Sequence, residues 1–475
     1  MADGIIADKT AGSGRTPTGP AMVDLVLFAI LVAFAALLGG SSRYDMVQMP
    51  PLVLASWGML AILVAFAKGG HTPRFLLWLG VAYAAWLAIT LVPLPHGLWS
   101  ALPGRGDILA LEDVLGIAPA RPISLDPERT LNALALIAVP LAALLATGRL
   151  GPSAPRIVLT AIVAVSLVSA LLAVVQQSTG ELYLYSITNV GKPVGLFANT
   201  NHHAVFQAMG FACAVWLFHD QRLWTRGAAG FAAALLLLSA ITGSSRAGFL
   251  CLLIALAYAA WTALSAMGKR GSPRRSRSRT APPEDAGQRI APKKLALSIG
   301  VGTILVAGLF LFLSARLPVM ERLTGTDPLD DMRFAVLPDV LAMARDHLPF
   351  GTGIGSFAAA YLAYEDEATL QVEYLNMAHN DWAQLLAEGS LVVAGLLALL
   401  LVATWRRLRA RLAPADGAAT PTDRSLCVLV GTLILILMVG SFFDYPLRTP
   451  LHQLAAVMVL ALLWLPPPPR LPSPR

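Results

Sequence analysis

The chain has little charge. Asp, Glu, Lys and Arg make up 13% of its 475 residues while 56% are hydrophobic, too few charges to cover a soluble domain of this size. A soluble enzyme is thereby excluded, and apolar runs near bilayer-spanning length take its place. Cysteine is scarce as well. Cys213, Cys251 and Cys427 are the three, each inside an apolar run, and they offer neither a disulfide framework nor a metal-binding spacing. A usable internal repeat is lacking, which argues against two duplicated halves. The first apolar run, 22–40, follows a long stretch with Asp3 and Asp8 and has no clear cleavage site behind it, so it reads as a spanning helix.

Twelve apolar runs can be drawn, at 22–40, 51–67, 75–94, 131–146, 157–176, 202–218, 225–242, 246–266, 295–314, 391–404, 425–442 and 451–465. Alternating connections then separate by charge. With the N-terminus inside, the cytoplasmic side carries 24 Lys plus Arg and the outer side 11, and the acids divide 8 against 20. Adding or deleting one span scrambles that separation. The net charge of +7 therefore reports orientation rather than nucleic-acid binding, and no nucleic-acid partner is expected.

The expected layout is an all-α polytopic membrane protein. A cytoplasmic tail, 1–21, leads into nine spans within 22–314, interrupted by a basic low-complexity cytoplasmic loop at 268–294 that reads as a disordered linker. A periplasmic loop follows at 315–390, then three spans within 391–465 and a cytoplasmic tail at 466–475. Two outer connections are long. The first, 95–130, is rich in Pro and Gly and has a patch at 109–115 that suits a short interfacial helix. In the second, Phe334, Leu337, Leu341 and Ala344 recur at helical spacing across Pro338, a turn rich in glycine covers 349–355, and another helical patch covers 357–364.

Three features share the outer face. Asn199, Asn201, His202 and His203 lead into the sixth run, with Asn201 as the expected N-cap and Lys192 nearby. A helix N-terminus beside a lysine suits an anion, and an ordinary capped helix accounts for the same residues. Ser245 and Arg246 lie between the seventh and eighth runs with almost no loop. A lone arginine at that depth needs a partner, and its donor fork matches phosphate oxygens, although snorkelling to lipid phosphate also satisfies it. His379, Asn380 and Asp381 precede the tenth run. Histidine can take a proton from a hydroxyl near neutral pH, and Asn380 can cap the following helix, which would fix the imidazole's direction.

Metal and nucleotide signals are weak. Asp327, Asp330 and Asp331 have no further ligand spacing, and His202 and His203 would point apart on a helix. The glycines at 351, 353 and 355 follow no strand and form a turn rather than a nucleotide loop.

These stretches resemble the O-antigen ligase family, which includes O-antigen and exopolysaccharide polymerases and protein O-oligosaccharyltransferases. The resemblance runs from about residue 91 to 465 and rests on Gly195-Leu196-Phe197-Ala198-Asn199-Thr200-Asn201, Ser244-Ser245-Arg246, Pro349-Phe350-Gly351-Thr352-Gly353-Ile354-Gly355 with Phe357, and Ala378-His379-Asn380-Asp381-Trp382 with Glu388. It implies inverting glycan transfer from undecaprenyl pyrophosphate to lipid A core or a glycan acceptor in the bacterial inner membrane, without metal or cofactor. By the same resemblance His379 is the base and Arg246 holds the pyrophosphate, with Lys192 as a further phosphate contact and Asn199, Asn201, Ser245, Asn380, Asp381 and Glu388 in support. Two positions depart from the family pattern: Lys192 stands where an arginine is common, and Ser390 stands where glycine is common after Glu388. A transporter is the alternative from another class, but its halves would most simply be joined by a long loop after the sixth span, and that connection, 219–226, is short.

Overall fold

The computed structural model describes residues 20–66, 70–219, 223–242, 245–268, 334–367, 370, 374–413 and 421–466. Among these residues the chain forms helices and no strand, with one isolated bridge between Leu94 and Arg121. The helices are α1 (Met22–Leu38), α2 (Met49–Ala65), α3 (Arg74–Thr90), α4 (His96–Trp99), α5 (Gly106–Leu115), α6 (Pro127–Leu136), α7 (Ala138–Arg149) and α8 (Ala154–Thr179). After these come α9 (Thr200–Leu217), α10 (Leu223–Thr242), α11 (Arg246–Gly268), α12 (Leu337–His347), α13 (Phe357–Tyr361), α14 (Asp381–Leu412), α15 (Pro421–Phe443) and α16 (Pro450–Trp464).

Six stretches are long and apolar enough to cross a membrane: Pro127–Arg149, Gly151–Thr179, Leu223–Ile241, Arg246–Ala266, Asp381–Leu412 and Asp423–Phe443. Helices α1, α2, α3 and α16 are shorter and apolar. Helix α8 has Pro155 in its first turn and ends at Gly180 in the left-handed region (φ 75°), the ordinary way to start and stop a helix. Of the twelve apolar runs, the ninth, 295–314, lies outside the described residues, as do the basic loop from residue 269 onward, Asp327, Asp330 and Asp331.

The centre of the bundle is α9. Fourteen of its eighteen residues are buried, and α8, α10, α11 and α15 all pack on it. A helix apolar on every side can be enclosed in this way. Small residues let its neighbours come close: a Cβ on Gly210 would lie 2.2 Å from Ser166 Oγ, and one on Gly248 of α11 would lie 2.3 Å from the Ala204 Cβ. The three cysteines are free and buried in the same bundle.

The two long connections form one cap. Leu125 donates its N–H to Thr352 O (2.8 Å), Thr130 Oγ1 donates to Ile354 O (2.7 Å), and the glycine turn packs against Ser124 and Arg129. In the first connection Trp99 is fully buried, with the guanidinium groups of Arg105 and Arg121 over its ring at 5.2 and 5.7 Å. The expected patch at 109–115 is the later part of α5.

The second connection differs from expectation in register. Pro338 lies in the first turn of α12, where its missing N–H costs nothing, so it starts the helix and does not bend it. The buried face is Val340, Met343, Ala344 and His347, while Leu341 is 46% exposed and Phe334 lies before the helix, exposed. Leu341, expected on the inner face, is thus exposed, and Val340, one residue before it, takes the buried position.

Candidate active site

The loop before α9 is held by α8. Gln176 Oε1 accepts the N–H groups of Val194 (3.1 Å) and Gly195 (2.7 Å), and Ser169 Oγ accepts that of Leu196 (3.1 Å). Such bonds fix a backbone that has no helix or sheet partner of its own. The N-cap of α9 is Asn199, whose side chain accepts the Asn201 N–H at 2.7 Å. This corrects the expectation of Asn201, which lies inside the first turn and has a different task.

That task is Asp444, a residue the sequence argument did not select. Its Oδ2 accepts Asn201 Nδ2 at 2.7 Å and Asn199 Nδ2 at 3.3 Å, and its Oδ1 lies 3.2 Å from His379 Nδ1. His202 Nε2 is 4.0 Å from the same Oδ1. The carboxylate is fully buried, so these partners compensate its lost hydration. A signal was present: Asp444 is a lone acid in the short connection between α15 and α16, the same situation that drew attention to Arg246.

His379 has φ 50°, a left-handed conformation that histidine tolerates better than most side chains. Asn380 caps α14 through the N–H groups of Trp382 (3.0 Å) and Ala383 (3.1 Å), as expected. The imidazole is 23% exposed and packs edge-on against Tyr445, ring centroids 4.9 Å apart. With the Asp444 carboxylate at Nδ1, the neutral tautomer carries its proton there and leaves Nε2 as an acceptor. This is the arrangement of a base with an orienting acid.

Asp381 and Glu388 serve a second buried cluster. Arg448 Nη1 donates to Glu388 Oε2 at 2.6 Å, and its Nε lies 3.4 Å from Asp381 Oδ1. Glu388 Oε1 also accepts the Phe357 N–H (3.0 Å) and Gln384 Nε2 (3.1 Å). Burial works against the charge on Arg448, but the carboxylates of Glu388 and Asp381 more than offset it and raise its pKa above the ordinary value. Both acids therefore brace the first turns of α14 and anchor α13, and Arg448 was the partner that sequence reasoning missed.

Arg246 is the first residue of α11, and Ser245 Oγ accepts the Gly248 N–H at 2.9 Å, capping that helix where it meets Ala204 of α9. Lys192 is half-buried on the loop before α9, its N–H on Asn189 O. An apolar groove of about 740 Å³ between α1 and α8 reaches Leu196 of this same loop. His203 turns away from His202 toward Ser169, and among the described residues no group of three or more His, Cys, Asp or Glu could hold a metal ion.

No curated protein matches the chain. Residues 231–389, which include Arg246, the glycine turn, His379 and Glu388, match the family described as O-antigen ligase, and the chain thus carries the domain of the O-antigen ligase family.

Proposed function

We propose that the protein is a membrane glycosyltransferase of O-antigen ligase type, which moves a glycan from undecaprenyl pyrophosphate to a hydroxyl of lipid A core. The reaction takes place on the periplasmic face of the bacterial inner membrane, in a chain of twelve spans with both termini in the cytoplasm. The family match supports the broad activity. The observation that carries the chemistry is the His379 to Asp444 contact at 3.2 Å beside the capped start of α9.

In the reacting step the acceptor hydroxyl gives its proton to His379 Nε2 while its oxygen bonds to the anomeric carbon of the donor. The bond from that carbon to the phosphate oxygen breaks, and its electron pair leaves on the pyrophosphate. Attack opposite the leaving group inverts the anomeric centre. Asp444 stabilises the imidazolium that forms, and no metal is needed to generate the nucleophile. Arg246 offers its fork to the leaving phosphates, and Lys192 adds a point charge. The apolar groove ending at Leu196 suits the polyprenyl chain of a donor whose headgroup lies at the loop of Lys192 and Asn199.

The test is transfer of a labelled glycan from its undecaprenyl pyrophosphate carrier by purified protein, with lipid A core and free glycan as competing acceptors. Product on lipid A core that persists in chelator is expected. Lengthened glycan would point to a polymerase, and activity lost to chelator but restored by a divalent cation would overturn the metal-free step.

A further inference from the structure

A second, smaller cavity lies beside α14. It has a volume of about 110 Å³ and is lined by Tyr44, Tyr83, Asp381, Trp382, Arg448 and Gln453 together with apolar side chains. Two of the three guanidinium nitrogens of Arg448 face Glu388 and Asp381. The third, Nη2, is buried, and no hydrogen bond of ordinary length and angle reaches it. Tyr44 is a further side chain in reach of this guanidinium, and an accepting group in the cavity would complete the hydration that Nη2 has lost.

The other lining groups narrow what that is. Tyr44, from the connection between α1 and α2, is hydrogen-bonded through its hydroxyl to the Arg448 side chain, and Tyr83, from α3, lines the cavity beside them as a neutral phenol. Gln453 uses its amide N–H on Leu447 O at 2.9 Å, which leaves its carbonyl oxygen as the acceptor it offers the cavity. Trp382 adds an aromatic face. Arg448 is already matched by two carboxylates, so an anion meets Asp381 and Glu388 and a cation meets Arg448. A neutral group with several hydroxyls, able both to donate and to accept, satisfies all of them. Since a water occupies roughly 30 Å³ in the liquid, the space holds about three or four waters or the hydroxyl-bearing edge of one sugar ring.

Asp381 ties this cavity to the reacting histidine. It is two residues from His379, and its N–H donates to Asp444 O at 3.3 Å. We propose that the cavity is an acceptor subsite that takes the edge of a neutral sugar ring while a neighbouring hydroxyl of the same acceptor reaches His379. This assignment rests on the ligase reading above.

The experiment is steady-state transfer by Tyr83→Phe and, separately, Tyr44→Phe, with acceptor and donor varied in turn. Each change removes one hydroxyl and keeps the ring. The acceptor KM is expected to rise roughly three- to tenfold, the size of one lost hydrogen bond, with donor KM and thermal midpoint unchanged. An unchanged acceptor KM in both variants overturns the proposal. So does an equal rise in both KM values with a lowered midpoint, which marks a water-filled structural site. Calorimetric binding of lipid A core to His379→Ala protein, with and without Tyr83→Phe, reads the subsite without turnover: weaker binding in the double variant supports it, equal binding removes it. If wild-type protein transfers nothing, the ligase reading fails; if it transfers normally and both phenylalanine variants match it, only the subsite fails.

Discussion

His379 meets Asp444 because the backbone turns left-handed at the histidine and Asn380 then opens α14, so the imidazole points back toward the end of α15. Asn199 and Asn201 hold the far side of the same carboxylate, which makes Asp444 the link between two stretches separated by 178 residues, from 201 to 379. The asparagines therefore act on the histidine through the acid. Under the proposed function Arg246 grips the leaving pyrophosphate. Arg246→Lys keeps the charge but loses the fork, so transfer is expected to fall roughly 10- to 100-fold, as when a charged hydrogen bond is lost. An unchanged rate would mean that this arginine meets only lipid headgroups. His379 and Arg246 stand out in the sequence because each is a polar residue at the edge of an apolar run. Asp444 and Arg448 obey the same rule in the connection 444–449, yet neither lies in a stretch that carries the family resemblance, so both were passed over.

Among the elements, α14 consists of two helical segments that meet at a kink, where the Leu391 N–H leaves the helix ladder for Pro349 O. Ser390 has φ 73° and ψ −177°, a region essentially reserved for glycine, and its Oγ partly compensates by accepting the Val392 N–H at 3.1 Å. The glycine common in the family at this position is thus explained, and so is the cost of the serine. Ser390→Gly is expected to stabilise the protein by about 1 kcal/mol, since the relieved strain exceeds one weak hydrogen bond, and the thermal midpoint in detergent should rise. Gly351 shows the reverse. It has φ 73°, and a Cβ there would lie 2.5 Å from Glu388 O. Gly351→Ala should cost about 1–3 kcal/mol and lower transfer by displacing the Glu388 turn that braces α14. A midpoint equal to wild type would show that the turn yields. The glycine turn was readable as a turn, but not its packing on Ser124 and Arg129, because sequence spacing carries no information about which distant loop is met. The shift of register in α12 has a similar origin: Leu341 is apolar and exposed, and only contact with the cap distinguishes it from Val340.

At the scale of the molecule, apolar length and charge separation made the helices legible, including an α9 enclosed on all sides by other helices. What they left out was the cap, in which connection 95–130 bonds to the glycine turn at 351–355, and the meeting of His379 with Asp444 at the top of the bundle. The proposed twelve-span topology would put Val190 and Glu365 on one side of the membrane and Ser153 on the other. A membrane-impermeant maleimide should label single cysteines at Val190 and Glu365 in intact spheroplasts and leave one at Ser153 unlabelled, with Cys213, Cys251 and Cys427 silent because they are buried. Labelling of Val190 and Glu365 from opposite sides would contradict the span count.

The measurement that tests the central claim most directly is the transfer rate of His379→Ala, Asp444→Asn and the double variant in one assay, with membrane insertion checked for each. A base and its orienting acid act as a unit, so each single change is expected to cost roughly 10²- to 10⁴-fold, and the double variant no more than the worse single one. Near-normal turnover of His379→Ala, or losses that multiply in the double variant, would contradict the account.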